Sequence, residues 1–437
     1  MNQCACADYR FILLGVPDVH GALRGKVFTR EEFHLVAERG RSTLSDLVLA
    51  VDAADQPITS LSEVGLNAGA PDLFVRPELD TLAAMSWRRG WGICLGTALW
   101  ADGTECELSP RAVLASVLGT TALSERAIRA AFEYEVRIYD AETGRPVTSG
   151  PQYSLVEAAR LFSLVEDLDR ACRQLNLDLR VVHTEAGPGL LEVNLAPSDG
   201  LRAADDAMLL KTCLKQLAAS RGLRASFLAK PVVGEEGSGG HLHLSLWDAQ
   251  GNNVFAADPE GLYGMSSEMA ASLAGLLHHM AALCLLFNPT INSYKRVVPG
   301  CFAPVNASWG TDNRSTAVRA IMSTPSSTRL EIRRPGADAN PYLVLAGALA
   351  AVASGLTAKT TLPGPVEGDA SAPDRSAAAS LASSLEAALT DFKEDSRLLE
   401  FLGKRFSSYY QATRRWELDA WQRAVSDWEL ERYGPIA

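Results

Sequence analysis

The stretch Phe132-Glu133-Tyr134-Glu135-Val136-Arg137-Ile138-Tyr139-Asp140 changes character at every residue. Side chains of a strand alternate between faces, so Glu133, Glu135, Arg137 and Tyr139 share one face and Tyr134, Val136 and Ile138 the other. Three more segments read the same way. In residues 241–247, His241, His243 and Ser245 lie opposite Leu242, Leu244 and Leu246. In residues 329–333, Arg329, Glu331 and Arg333 lie opposite Leu330 and Ile332. Residues 181–185 and 190–195 form a hairpin around Gly187-Pro188-Gly189, with His183 and Glu185 on one arm and Glu192 and Asn194 on the other.

Half-exposed strands with solvated outer faces would explain any one of these segments. Together they place Glu or His, and never Lys, on every polar face. Carboxylates gathered on one sheet repel unless cations sit among them. Glutamates with one or two imidazoles suit Mg²⁺ or Mn²⁺, whereas zinc usually draws more His or Cys. Glu133 and Glu135, two residues apart, can each serve a different ion of a pair, the arrangement used in phosphoryl chemistry. Arg296, Arg314, Arg319, Arg329, Arg333 and Arg334 crowd one region of an acidic chain. Arginine binds phosphate and carboxylate bidentately. Metals beside arginines indicate a nucleoside triphosphate whose γ-phosphoryl is transferred. The residues therefore indicate a metal-dependent, ATP-using phosphotransferase or ligase, and leave the acceptor open.

Composition agrees with such an enzyme. Of 437 residues, 47% are hydrophobic and 21% charged, the range of a soluble globular chain of two or three domains. Lys+Arg 41 against Asp+Glu 52 leaves a net charge of −11, a poor basis for binding nucleic acid or an anionic membrane. Eight cysteines show no zinc spacing and read as reduced thiols of a cytoplasmic protein, and the N-terminus shows no secretory signal. Two charge-free stretches, 269–287 and 341–358, read as buried core helices rather than membrane spans. The first hundred residues look like a small mixed domain with few helices, opening with a strand over 9–16, a turn at 18–21 and a second strand over 23–28. Beyond Pro110, helices are expected over 111–118, 154–175 (with Ser154 and Glu157 as a capping box) and 203–221. Residues 362–374 read as a loop, and 377–433 as amphipathic helices.

The chain resembles the glutamine synthetase family over nearly its whole length. The resemblance is carried by Lys230-Pro231, Gly237-Ser238-Gly239-Gly240-His241-Leu242-His243, Asn288-Pro289-Thr290-Ile291-Asn292-Ser293-Tyr294-Lys295-Arg296, Asn313-Arg314-Ser315, Arg329-Leu330-Glu331-Ile332-Arg333 and Ala339-Asn340-Pro341-Tyr342-Leu343. It implies an α+β fold with a β-grasp domain over 1–108 and a catalytic domain over 109–437 built on a curved antiparallel sheet. It also implies dodecameric rings whose sites are shared between subunits. Glu135, Glu185 and Glu192 match the ligands of one metal, and Glu133, His241 and Glu331 those of the other. His243, Ser245, Arg319 and Arg329 match nucleotide-binding positions. Gly237, Arg296 and Arg333 match glutamate-binding ones, and Arg314 the residue that stabilises the transferring phosphoryl.

Three departures bear on the acceptor. The flap glutamate expected after Pro299-Gly300 is replaced by Phe302, following Cys301. The D-G-S-S segment whose aspartate attracts ammonium is absent, with Asp52 in Asp52-Ala53-Ala54-Asp55 near that place. The asparagine before G-S-G is Glu236. Fewer anionic groups argue against capture of ammonium and for an organic amine, with Phe302, Asp52 and Glu236 as the candidate amine pocket. Asp18-Val19-His20-Gly21-Ala22-Leu23-Arg24-Gly25-Lys26, the Gly187-Pro188-Gly189 turn and Trp309-Gly310-Thr311-Asp312-Asn313-Arg314 resemble the γ-glutamyl-amine ligase branch, although its glutamine after G-P-G is Leu190 here. The expected activity is ATP-dependent joining of glutamate's γ-carboxylate to a primary amine through a γ-glutamyl phosphate. Three alternatives remain: a glutamine synthetase using ammonia, a non-catalytic ring-forming relative, and a guanidino-type phosphotransferase.

Overall fold

A computed structural model describes residues 9–358, 360–372 and 378–437. Cys4, Cys6, the end of the 362–374 loop (Pro373, Asp374) and Ala377 lie outside the described residues. The chain opens with β1 (Phe11–Pro17) and β2 (Leu23–Thr29), paired antiparallel across a turn that Asp18 stabilises by accepting from the His20 and Ala22 amides. Helix α1 (Arg30–Arg39) follows, an element missing from the sequence expectation. Its signals are local: Thr29 accepts from the Glu32 amide, and Gly40, at φ 71°, supplies the left-handed C-terminal turn. Strands β3 (Ser42–Ser45), β4 (Asp72–Pro77), β5 (Ala83–Ala84) and β6 (Trp91–Leu99) complete a sheet ordered β2-β1-β6-β4-β3, with β5 beside β6.

Helix α2 (Pro110–Leu118) leads to β7 (Ala127–Asp140), the long strand on which the second sheet is built. The helix expected over 154–175 is broken into α3 (Leu155–Ala158), one 3₁₀ turn and α4 (Phe162–Gln174). The capping box is half formed. Ser154 Oγ accepts from the Glu157 amide, but the Glu157 carboxylate turns away to the Ser149 amide at 2.7 Å. The Ser154 amide is bonded instead to Thr184 Oγ1, so this turn is docked on the hairpin rather than continued into α4. Then come β8 (Leu179–Thr184), β9 (Leu190–Leu195), β10 (Ser198–Asp199), α5 (Gly200–Ser220), β11 (Leu223–Ser226) and β12 (Gly240–Trp247). After α6 (Ser267–Phe287) and α7 (Ser293–Arg296), β13 (Trp309–Thr311), β14 (Val318–Ile321) and β15 (Arg329–Ile332) finish the sheet. Its order is β13-β14-β15-β12-β7-β9-β8, with β10 and β11 also on β7, and β13–β14 is its parallel pair. Helices α8 (Pro341–Thr357), α9 (Leu385–Glu394), α10 (Ser396–Leu402), α11 (Lys404–Arg423) and α12 (Asp427–Tyr433) close the chain. The expected α+β class holds.

The apolar faces read from the sequence form the core: Tyr134, Val136, Ile138, Leu242, Leu244 and Leu330 are buried, with α5 packed behind β7. Helix α6 is long and apolar enough to cross a membrane, but 78% of its most apolar window is buried inside this subunit. It packs on α8 so closely that a Cβ on Gly275 would meet the Ala351 carbonyl at 2.2 Å. The charge-free helices are thus satisfied within one chain. They give no argument for self-association.

Candidate active site

Register places the predicted side chains. His241 lies across from Glu133, and Glu135 across from Glu192, on the two flanks of β7. His243 lies across from Glu331, and Glu192 from His183. Because these positions share one parity, all point to the face opposite the core. His241 Nδ1 is 2.9 Å from Glu133 Oε1, and His243 Nε2 is 3.3 Å from Glu133 Oε2. Burial opposes the charge of Glu133, but the two imidazoles hold its pKa well below the usual carboxylate range. Glu331 is buried as well, yet His243, Arg333 and His241 lower it to about 2. Arg319 donates to Glu331 at 2.9 Å, and Arg333 donates to its other oxygen.

The second cluster behaves differently. His183, Glu185 and Glu192 bring ligand atoms within 4.8 Å of one another, as do Glu133, His243 and Glu331. Glu185 is pushed up, first by burial and then by the charges of Glu135 and Glu192, a repulsion that a divalent cation would relieve. His183 donates to Glu192 at 2.9 Å, and this bond, against burial, raises it to about 9. His241 Nε2, Asn194 Oδ1 and Arg319 Nε are buried without a hydrogen-bond partner. A donor set of carboxylates and imidazoles with unmatched polar atoms fits Mg²⁺ or Mn²⁺. The two compact clusters differ from the ligand sets that the resemblance implies. His243 replaces His241 in one, and His183 stands where Glu135 was expected in the other; Glu135 Oε2 accepts from the Gly239 amide at 2.6 Å.

One cavity of ≈ 230 Å³ joins Glu133, Glu135, Glu185, Glu192 and His241 to Gly237, Arg296, Arg333, Arg314, Glu236 and Phe302. Arg296 is buried, and its Nη1 meets only the Arg334 and Pro335 carbonyls, so its charge remains uncompensated. A Cβ on Gly237 would meet the Ala229 carbonyl and Arg296 Cγ, both at 2.6 Å, and one on Gly239 would meet His241 Nε2 at 2.6 Å. Close approach explains both glycines. An adjoining cavity of ≈ 380 Å³ contains His243, Ser245 and Arg329, with Glu133 on the shared wall. Arg329 Nε is 3.1 Å from His243 Nδ1.

Two candidates fall elsewhere. Asp52 lies outside the cavity of its own subunit, its carboxylate accepting from the Ala54 and Gln56 amides and from Trp416 Nε1; the resemblance assigns that position to the site of a neighbouring subunit. Arg334 belongs to the scaffold, donating to Asn288 Oδ1 and to the Pro304 and Ala382 carbonyls, each at 2.6 Å. Several lining residues escaped the sequence reading. Arg129 and Trp247 continue the parity rows of β7 and β12, and the guanidinium sits 5.0 Å from the indole, so that signal was present. Tyr153, whose ring is 4.7 Å from His183, and Gln152, which donates to Glu185, come from an irregular turn with no periodicity to reveal them.

Strand-borne carboxylates facing arginines suit metal-assisted phosphoryl transfer, and the family match makes this an enzyme of the carbon–nitrogen ligase class. Residues 107–433 match the glutamine synthetase catalytic domain, and the chain belongs to the glutamine synthetase family. It is 33% identical over 433 residues to a glutamate–isopropylamine ligase of a Pseudomonas species, covering 97% of this chain and 94% of that protein. It is also 33% identical over 441 residues to a gamma-glutamylethanolamide synthetase of Streptomyces coelicolor, with 98% and 93% covered. Its structure is similar to that of GmaS in complex with ADP (TM-score 0.87, 25% identity, 100% of both chains covered).

Proposed function

We propose that this chain uses ATP to join the γ-carboxylate of glutamate to an organic primary amine by way of a γ-glutamyl phosphate. The observation that carries the reading is the single cavity uniting five metal-type ligands, two acid-binding arginines, Arg314 and a phenyl ring. The two ions would be held by Glu135, Glu185 and Glu192 and by Glu133, His241 and Glu331, with His183 and His243 adjacent, and would supply charge neutralisation for the transferring phosphoryl group. Arg296 and Arg333 hold the carboxylates of the acid; buried guanidinium groups do this bidentately and keep the γ-carboxylate aligned. Arg314, exposed at the cavity and anchored by its carbonyl to Arg333 Nε, brings a mobile positive charge to the phosphoryl oxygens. His243, Ser245, Arg319 and Arg329 orient the nucleotide.

The amine must be neutral to attack. Glu236 lines the same cavity and would be the base that accepts the proton leaving the nitrogen. Phe302, 64% exposed at the rim, offers an apolar surface to the amine's substituent where a flap glutamate would favour ammonium. Around the site, a β-grasp domain over 1–108 carries the smaller sheet and residues 109–437 the larger one. The buried thiols of Cys106, Cys172, Cys213 and Cys284, in no disulfide among the described residues, support a reducing, cytoplasmic setting. Exposed Trp421, Trp428 and Leu430 on the C-terminal helices, with Ile436 just beyond them, support assembly into rings. The test is phosphate release from ATP with glutamate, Mg²⁺ or Mn²⁺ and a panel of amines. Release stimulated by an alkyl- or arylamine beyond ammonium supports the reading; stimulation by ammonium alone overturns it.

A further inference from the structure

Away from the active-site cavity, a pocket of ≈ 370 Å³ opens between α5, β11, the β1–β2 turn and α11. Its cations are Lys211, Lys215, Arg224 and Arg414, and its one acid is Asp338. In a chain of net charge −11, this is an inverted patch. None of the four cations has a carboxylate within ion-pair distance among the described residues.

The two inner ones are buried. Arg414 donates to the Pro289 carbonyl at 2.9 Å and to Thr413 Oγ1 at 3.3 Å. Its guanidinium also lies over the Tyr410 ring and reaches His20 Nδ1 at 3.3 Å. Because a guanidinium can only donate, His20 accepts there and carries its proton on Nε2, which points to the Val51 carbonyl at 3.1 Å. His20 is thereby neutral, in line with a pKa lowered by burial and by Arg414. Lys211 Nζ donates to the Ala337 and Ala339 carbonyls at 2.7 and 3.1 Å and lies over the Tyr134 ring. Burial, followed by the neighbouring Lys215, lowers it to about 7. Asp338 accepts from Thr290 and Ser293 at one oxygen, its other oxygen is buried without a partner among the described residues, and its charge partly offsets the lowering of Lys211. Asp18 is paired with Arg24 at 2.9 Å.

Lys215 and Arg224 stand exposed at the mouth, held by ring faces alone: Lys215 over Phe227 and Arg224 over Tyr139. Buried charge without a counter-ion is costly, and such groups are normally paired. A pocket that sets four basic side chains against one carboxylate, with no ion pair to any of the four among the described residues, has the charge pattern of an anion site. We infer that this pocket binds a compact oxyanion bearing two negative charges, a phosphate or a dicarboxylate, distinct from the substrates of the active-site cavity.

The test compares the thermal midpoint of the full chain in inorganic phosphate, in succinate and in chloride at equal ionic strength. Wild type should show a saturable rise with phosphate, succinate or both, beyond chloride, and the more effective of the two names the headgroup chemistry. The Lys215→Gln/Arg224→Gln variant changes only exposed side chains. Its apparent affinity should fall about tenfold, the scale of losing two charge-assisted hydrogen bonds, while amine-dependent ATP turnover is retained. An equal shift in the variant would place the anion elsewhere, the active-site cavity included, and overturn the assignment. So would the absence of any rise over chloride in wild type. Neither result alters the turnover assay, so the ligase reading stands or falls separately.

Discussion

His241 and Glu133 face each other across an antiparallel pair, with Nδ1 2.9 Å from Oε1, and the same carboxylate reaches His243 on its other side. One glutamate is thus held by two residues of the neighbouring strand, and β15 brings Glu331 to the far side of that strand. The acidic row is rigid because it is strand-borne, and substrate groups enter a geometry that sheet pairing has already fixed.

Glu135→Ala tests the ligand row. Metal-dependent ATP turnover should drop by more than about 100-fold, the upper range for losing groups that tune a metal site. The Gly239 amide loses its acceptor, which costs about 1 kcal/mol of stability. Circular dichroism and the urea midpoint should therefore stay close to wild type while turnover disappears. Full activity in this variant would remove the site assignment.

Arg333 and Arg334 are neighbours with opposite expected behaviour. Arg334→Ala leaves buried acceptors at Asn288, Pro304 and Ala382 unmatched and should cost about 3 kcal/mol or more, read from urea denaturation. Arg333→Lys keeps a charge beside Glu331 but loses the bidentate fork. It should raise the KM for glutamate with little change in the unfolding midpoint.

Much of this was legible before the fold. Parity on 132–140, 241–247 and 329–333 picks out Glu133, Glu135, His241 and Arg333 of one cavity and His243, Ser245 and Arg329 of the adjoining one, because strand alternation is a local rule that register preserves. Helix α1 was legible too, through Thr29, Glu32 and Gly40, but its modest apolar content hid it. The break between α3 and α4 was not, since it depends on Thr184 and Ser149 capturing groups from the helix start. Asp52 shows a related limit: the resemblance marked its position, but the hold of Trp416, from α11, on its carboxylate is a long-range contact that no local pattern announces.

Lys211 gives a pH test. Its folded pKa of about 7 lies below the value near ~10.4 of an unfolded lysine. Between these values the unfolded chain binds more protons, so this residue makes stability rise with pH from about 7 to ~10, by up to ~1.4 kcal/mol per unit. Urea denaturation in chloride buffers at pH 7, 8 and 9 should show that increment in wild type relative to Lys211→Met. Parallel profiles for the two proteins would contradict it.

Phe302 should set amine preference. Covering its exposed ring with an apolar substituent contributes about 1–2 kcal/mol, or about tenfold in specificity. Phe302→Ala should raise the amine KM and leave the ATP and glutamate constants nearly unchanged. Phe302→Glu should shift preference toward small cationic amines, by charge attraction at the flap. Steady-state kinetics with ammonium and with the best organic amine decide between a specificity role and simple filling of space.

The acyl-phosphate route is the centre of the account, and an oxygen label follows it directly. With glutamate carrying ¹⁸O in its γ-carboxylate, attack on the γ-phosphorus of ATP forms a C–O–P bridge through a labelled oxygen as the bond to the β,γ-bridging oxygen breaks and ADP leaves. When the amine nitrogen bonds to the carbonyl carbon, the C–O bond breaks and the bridging oxygen leaves with phosphate. Mass spectrometry should find one ¹⁸O in the phosphate for each γ-glutamyl amide formed. Unlabelled phosphate, or labelled phosphate with no amide, would contradict the mechanism.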